Sequence, residues 1–185
     1  MTYRPPFVSD RFQVIAPPHP ATLEVDALLK LCTIETGRVS GPGGQNRNRR
    51  DTAVWIEHMS SGIAAQGTER RSQSQNSGKA LFRLRCKLAV RLRVAVSRDR
   101  PHISALWRSR RQGEKMSVNP EHEDYPALLS EALDLVVARR FDLAGAAGLL
   151  GITMSQLSRL IRHDKAAFAA VNQGRVQVGL APLRS

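Results

Sequence analysis

Gly43-Gly44-Gln45 is the segment of this 185-residue chain best equipped for chemistry. Paired glycines let the backbone reach conformations closed to other residues and approach a ligand closely. The glutamine adds an amide donor, a carbonyl acceptor and its own backbone N–H. It has no titratable group, so it is not a general base in the usual sense. It can orient a water and set a backbone N–H against a developing oxyanion. No serine–histidine–acid set surrounds it. His58 lies in a strand pattern, where packing is its expected role, and His102, His122 and His163 show no metal-ligand spacing. Cys32 and Cys86 read as small core hydrophobes, and no metal or cofactor is implied.

The loop sits in a field of positive charge. The chain carries 28 Lys and Arg against 16 Asp and Glu, a net +12. Residues 37–118 hold 18 basic and five acidic residues, whereas 119–185 hold seven of each. That concentration points to a polyanion, nucleic acid by default. No apolar run is long enough to span a membrane, and residues 1–12 show no secretory pattern. The expected location is cytoplasmic.

The elements that must position the loop follow from periodicity. Residues 1–20, with five prolines, read as an extended arm. Leu23, Ala27, Leu28 and Leu31 predict a helix over 22–31, with Thr22 as its N-cap. Cys32 to Arg38 reads as a short strand. Residues 52–58 alternate, with Val54, Ile56 and His58 on one face, and Ile63 to Gln66 return as a hairpin. A long helix is predicted over 73–96, with apolar Leu81, Leu84, Leu88, Leu92 and Ala95 and a basic stripe of Lys79, Arg83, Lys87 and Arg91. Residues 97–119 show no period and read as a basic linker. Residues 125–140 predict an amphipathic helix. Residues 142–162 resemble a helix-turn-helix: Ala147 at the crossing, Gly151 at the turn, and Ile152, Leu157 and Leu160 buried. Ser155, Gln156, Arg159 and Arg162 then form its outer surface, and the tail after it packs on this module.

The run RVSGPGGQNRNRRDTAV, followed by RSQSQNSGKAL, resembles the catalytic domain of bacterial class-I peptide chain release factors and their ribosome-rescue relatives. Arg38, Ser40 to Gln45, Asn48, Arg49, Thr52 to Val54, Arg71 to Gln73, Asn76, Ala80 and Leu81 fit the family pattern in order. The resemblance implies an α+β fold: a small domain of short β-sheet plus long basic helix over 21–96, here followed by an all-α helix-turn-helix-like domain over 120–185. It implies hydrolysis of the peptidyl-tRNA ester in the ribosomal peptidyl-transferase centre. Gly43, Gly44 and Gln45 would be the catalytic loop. Arg38, Arg47, Asn48, Arg49, Arg50, Arg71, Lys79, Arg83, Lys87 and Arg91 would contact RNA. The implied partners are large-subunit rRNA and P-site peptidyl-tRNA. A glutamine methyltransferase is a further one, with Gln45 as its modification candidate. No segment matches a stop-codon-reading domain, and the neutral residues 119–185 do not match the basic tail of the rescue relatives. The expectation is therefore release independent of stop-codon reading. The rival readings are a DNA-binding regulator using the helix-turn-helix, disfavoured by that neutral charge, and a non-catalytic ribosome- or RNA-binding protein.

Overall fold

The computed structural model describes residues 12–38 and 51–184. They form an α+β molecule that divides into two compact units: residues 23–88, and residues 12–22 together with 89–184.

In the first unit, α1 (Val25–Leu29) leads into an antiparallel sheet of β2 (Cys32–Gly37), β3 (Ala53–His58) and β4 (Ile63–Gly67), with β3 central. Pairing runs from Cys32 opposite His58 to Gly37 opposite Ala53, and from Val54 opposite Gly67 to His58 opposite Ile63. Alternation places Val54, Ile56, Ile63 and Ala65 in the core while Glu57, Ala64 and Gln66 face water. The long helix α2 (Gln73–Arg91) adds Ala80, Leu84 and Leu88, four residues apart and fully buried. Leu81, assigned to this stripe from sequence, is only half-buried.

Two boundaries differ from the sequence reading. Thr22 does not cap α1. Its hydroxyl donates to His19 O at 2.7 Å, closing a 3-10 turn over Pro20–Thr22, and Glu24 is the N-cap instead. The helix predicted over 73–96 stops at Arg91, because Leu92–Val94 form β5 and pair in parallel with β1 (Gln13–Ile15). The same pairing makes Gln13–Ile15 of the expected arm a strand, and the 3-10 turn takes in its last residue, Pro20. His19 and Pro20 are buried, and His19 Nε2 lies 3.2 Å from Leu92 O.

The second unit is organised around α4 (Tyr125–Ala138), which is buried nearly all round and packs against α5 (Leu143–Leu150), α6 (Met154–Arg162), β5 and the 3-10 turn. Helix α7 (Lys165–Gln177) packs on α6. The chain after α7 folds back on it: Arg175 donates to Ala181 O, and Asn172 exchanges hydrogen bonds with Leu183. The turn between α5 and α6 needs Gly151, whose φ of 68° is the left-handed conformation that glycine adopts without strain. Thr153 then caps α6 by accepting from the Gln156 N–H at 3.2 Å.

Residues 97–119 also differ from expectation. They hold α3 (Ala105–Arg110) and a small hairpin of β6 (Arg111–Gln112) and β7 (Lys115–Met116), turned at Gly113 with φ 59°. Trp107 on α3 is fully buried and donates from Nε1 to Leu150 O at 3.0 Å. This segment lacks a period because α3 is under two turns long and each hairpin strand has two residues; its order comes from long-range contact. The unit also buries an ion pair. Arg93 Nη1 meets Asp134 Oδ1 at 2.8 Å, and the Phe12 ring lies 5.4 Å from the guanidinium carbon. Burial pushes the Asp134 carboxyl up to about 6 against the opposing pull of Arg93.

Candidate functional site

Gly43, Gly44, Gln45, Arg47, Asn48, Arg49 and Arg50 lie outside the described residues. What is described is the frame at both ends of their segment. The connection from β2 to β3 leaves at Arg38 and returns at Asp51. Immediately inside these ends, Gly37 and Ala53 are paired. Arg38 Nε donates to Asp51 Oδ1 at 3.0 Å, joining the two ends directly. Both side chains are more than half exposed, so this pair contributes at most about 1 kcal/mol. Arg38, assigned to RNA from sequence, is therefore engaged within the protein.

The stronger hold comes from Asn76 in the first turn of α2. Its side chain is fully buried and makes three hydrogen bonds. Oδ1 accepts from the Arg70 N–H at 2.8 Å, and Nδ2 donates to Thr52 O at 2.6 Å and Arg70 O at 2.9 Å. One amide thus ties α2 both to Thr52, the residue just before β3, and to the loop before the helix. The strand end packs close to match: a Cβ on Gly67 would lie 2.1 Å from Asn76 O. Asn76 belongs to the run carrying the family resemblance, yet the sequence by itself gives it no place in the site. An isolated asparagine at a helix start reads as a cap, and nothing local announces a bond across 24 residues.

The basic stripe on α2 divides into two sorts. β4 is an edge strand, and its outer carbonyls need donors. Arg83 Nη1 donates to Gln66 O at 2.9 Å, and Lys87 Nζ donates to Ala64 O at 2.7 Å. Arg83 also pairs with Glu69. That hydrogen bond, with the backbone N–H groups of Glu69 and Thr68, holds the Glu69 carboxyl down to about 2. Arg83 and Lys87 therefore seal the sheet edge while leaving positive charge at the surface. Lys79, Arg91 and Arg71 have no acid partner among the described residues, and Arg71 and Arg91 are exposed. The outer face of the sheet is fixed by a cross-strand pair in which Trp55 Nε1 donates to Gln66 Oε1 at 2.8 Å. His58 is buried, with Nδ1 2.8 Å from Ser61 Oγ, and burial lowers its pKa. It serves the hairpin turn. Burial likewise raises the Cys32 thiol, whose Sγ donates to Leu28 O.

On α6, Ser155, Arg159 and Arg162 are exposed and Gln156 is half-buried. Leu157, Leu160 and Ile161 are buried beneath them. Among the described residues no group of His, Cys, Asp and Glu could hold a metal ion, and no helix is long and apolar enough to cross a membrane.

A sequence profile of the family described as "RF-1 domain" matches residues 22–121, just over half the chain. A chloroplastic peptide chain release factor of Arabidopsis thaliana is 51% identical over 53 residues, covering 29% of this chain and 12% of that protein. Peptide chain release factor 1 of Rhodospirillum rubrum is 41% identical over 71 residues, covering 38% and 20%. Peptide chain release factor 2 of Paramagnetospirillum magneticum is 42% identical over 67 residues, covering 36% and 18%. The match thus spans a fifth or less of each of these relatives.

Proposed function

Because the chain belongs to the RF-1 domain family, we propose that it promotes hydrolysis of the ester joining the nascent peptide to P-site tRNA, inside the ribosomal peptidyl-transferase centre. The observation that carries this reading is Gly43-Gly44-Gln45, intact within the matched domain and borne on a connection whose two ends are joined by the Arg38–Asp51 pair and whose returning end is held by Asn76. A loop that must enter a confined RNA site gains from a base that does not drift.

In the proposed mechanism, water attacks the ester carbonyl carbon and a tetrahedral intermediate forms. The Gln45 backbone N–H donates to its oxyanion, and the Gln45 side chain orients the water. Collapse breaks the bond to the tRNA ribose oxygen, which takes a proton, and frees the peptide as its carboxylate. The chain brings electrostatic placement rather than a titrating base, so rRNA and tRNA supply the remainder of the site. Arg47, Asn48, Arg49, Arg50, Arg71, Lys79 and Arg91, with the surface charge of Arg83 and Lys87, would face RNA phosphate. Gln45 is also the proposed target of a glutamine methyltransferase, and the site of action is cytoplasmic. Action without stop-codon reading is the finer proposal, which varying the A-site codon tests directly.

The test is peptide release from purified ribosomes carrying P-site peptidyl-tRNA, with the A site empty or holding sense or stop codons. Release is expected irrespective of the codon. Gly44→Ala is expected to lower it by about a hundredfold or more, the scale of one displaced oxyanion donor. Wild-type protein that releases nothing from any of these complexes refutes the proposal.

A further inference from the structure

A second basic surface lies on the helical unit. A groove of about 310 Å³ runs between the hairpin β6–β7 and α6. Gln112, Lys115 and Ser117 line one wall, and Gln156, Arg159 and His163 line the other. No acidic side chain among the described residues lines it. Elsewhere in the unit three arginines carry acid partners among the described residues: Arg93 with Asp134, Arg110 with Asp124, and Arg139 with Asp99 and Asp142. Lys115 and Arg159 have none among the described residues, and both are exposed. Exposed cations suit phosphate. Two glutamine amides, each both donor and acceptor, suit sugar hydroxyls and base edges.

The walls are held at a set spacing. The Thr153 N–H donates to Glu114 O at 3.2 Å, joining the hairpin turn to the N-cap of α6. Arg111 Nη1 reaches Gly151 O at 3.4 Å. The His163 ring stands edge-on to Tyr125, with centroids 6.4 Å apart, and Tyr125 in turn donates to Leu160 O. The groove is therefore preformed and need not be ordered by its ligand.

We propose that this groove binds the sugar–phosphate backbone of RNA. The choice of RNA rests on the proposed function in one respect: that reading gives the other unit a partner built of RNA. Two cations give a weak site alone, and tethering to a second site on the same assembly multiplies it. Duplex DNA offers no 2′-hydroxyl for Gln112 and Gln156, and residues 119–185 are neutral overall.

The experiment uses the full chain and a fluorescent RNA hairpin, with a DNA hairpin of the same sequence, in anisotropy titrations from 50 to 200 mM salt. The variants are Lys115→Gln with Arg159→Gln, the charge-preserving pair Lys115→Arg with Arg159→Lys, and Lys165→Gln, one exposed charge outside the groove. The neutral pair is expected to weaken RNA binding about tenfold and to lower the salt slope by about 1 to 2. The charge-preserving pair and Lys165→Gln should bind like wild type, with unchanged circular dichroism throughout. Gly44→Ala should bind the RNA normally, so failure of release and failure of the groove are distinguishable. Unchanged RNA affinity in the neutral pair overturns the proposal. So does a DNA hairpin bound as tightly as the RNA and equally sensitive to that pair.

Discussion

Replacing Asn76 tests whether one buried amide holds the base of the candidate loop. Asn76→Ala removes three hydrogen bonds and leaves the Arg70 N–H, Arg70 O and Thr52 O without that partner. At roughly 1 kcal/mol for each, the first unit should lose about 3 kcal/mol. Asn76→Asp is nearly the same shape but is the more diagnostic change. One carboxylate oxygen still accepts from the Arg70 N–H, while the other replaces Nδ2, which lies 2.6 and 2.9 Å from carbonyl oxygens. At pH 8 the loss should equal or exceed that of alanine. Burial against carbonyls raises the folded-state pKa of the new carboxyl above its unfolded value near 4. The folded state then holds the proton more tightly. Stability should rise as pH falls from 8 to 5, by about 1 kcal/mol, as a protonated carboxyl donates to Thr52 O. Hydrogen exchange with mass spectrometry under graded urea, on peptides from 53–67 and 73–88, reads the loss locally. Peptide release should fall in parallel because Thr52 is freed. Both variants within about 0.5 kcal/mol of wild type, or an Asn76→Asp loss independent of pH, would refute the reasoning.

Two further outcomes concern buried polar groups. Asp134→Ala removes the carboxylate from the buried Arg93 guanidinium, whose Nε has no partner among the described residues, and should destabilise the helical unit by about 3–5 kcal/mol. A lowered urea midpoint in the Trp107 fluorescence transition would show this, and the double change Arg93→Met with Asp134→Leu should recover much of it. His58 has a folded pKa depressed by burial below its ordinary 6.5. The unfolded state therefore takes up the proton first, and this contribution to stability is lost as pH falls through 6.5. Urea midpoints measured at pH 7.5 and 5.5 should diverge less in His58→Gln than in wild type.

Local signals in the chain recovered much of the first unit. Alternation over 52–58 gave β3 and its buried face because each strand residue reports its own side of the sheet. Gly151 marked the turn before α6 for an equally local reason. The helix prediction overran Arg91 because Leu92 and Ala95 continue the three- and four-residue spacing by coincidence. What converts Leu92–Val94 to a strand is β1, nearly eighty residues earlier. No window of sequence contains that pairing. The missed role of Asn76 has the same origin, since its acceptor is a carbonyl brought near by the fold.

Charge shows the division most clearly. By itself the sequence determined how much positive charge there is, that it clusters in 37–118, and that a Gly-Gly-Gln segment lies within the cluster. Along the chain, α6 appeared to belong to a neutral module. Only the tertiary structure decided that Lys115 crosses from the supposed linker to stand opposite Arg159, and that Arg83 and Lys87 turn back to the β4 edge. The reason is physical: side-chain charge is a property of composition, whereas the partner that neutralises, anchors or exposes it is set by contacts between segments distant in sequence.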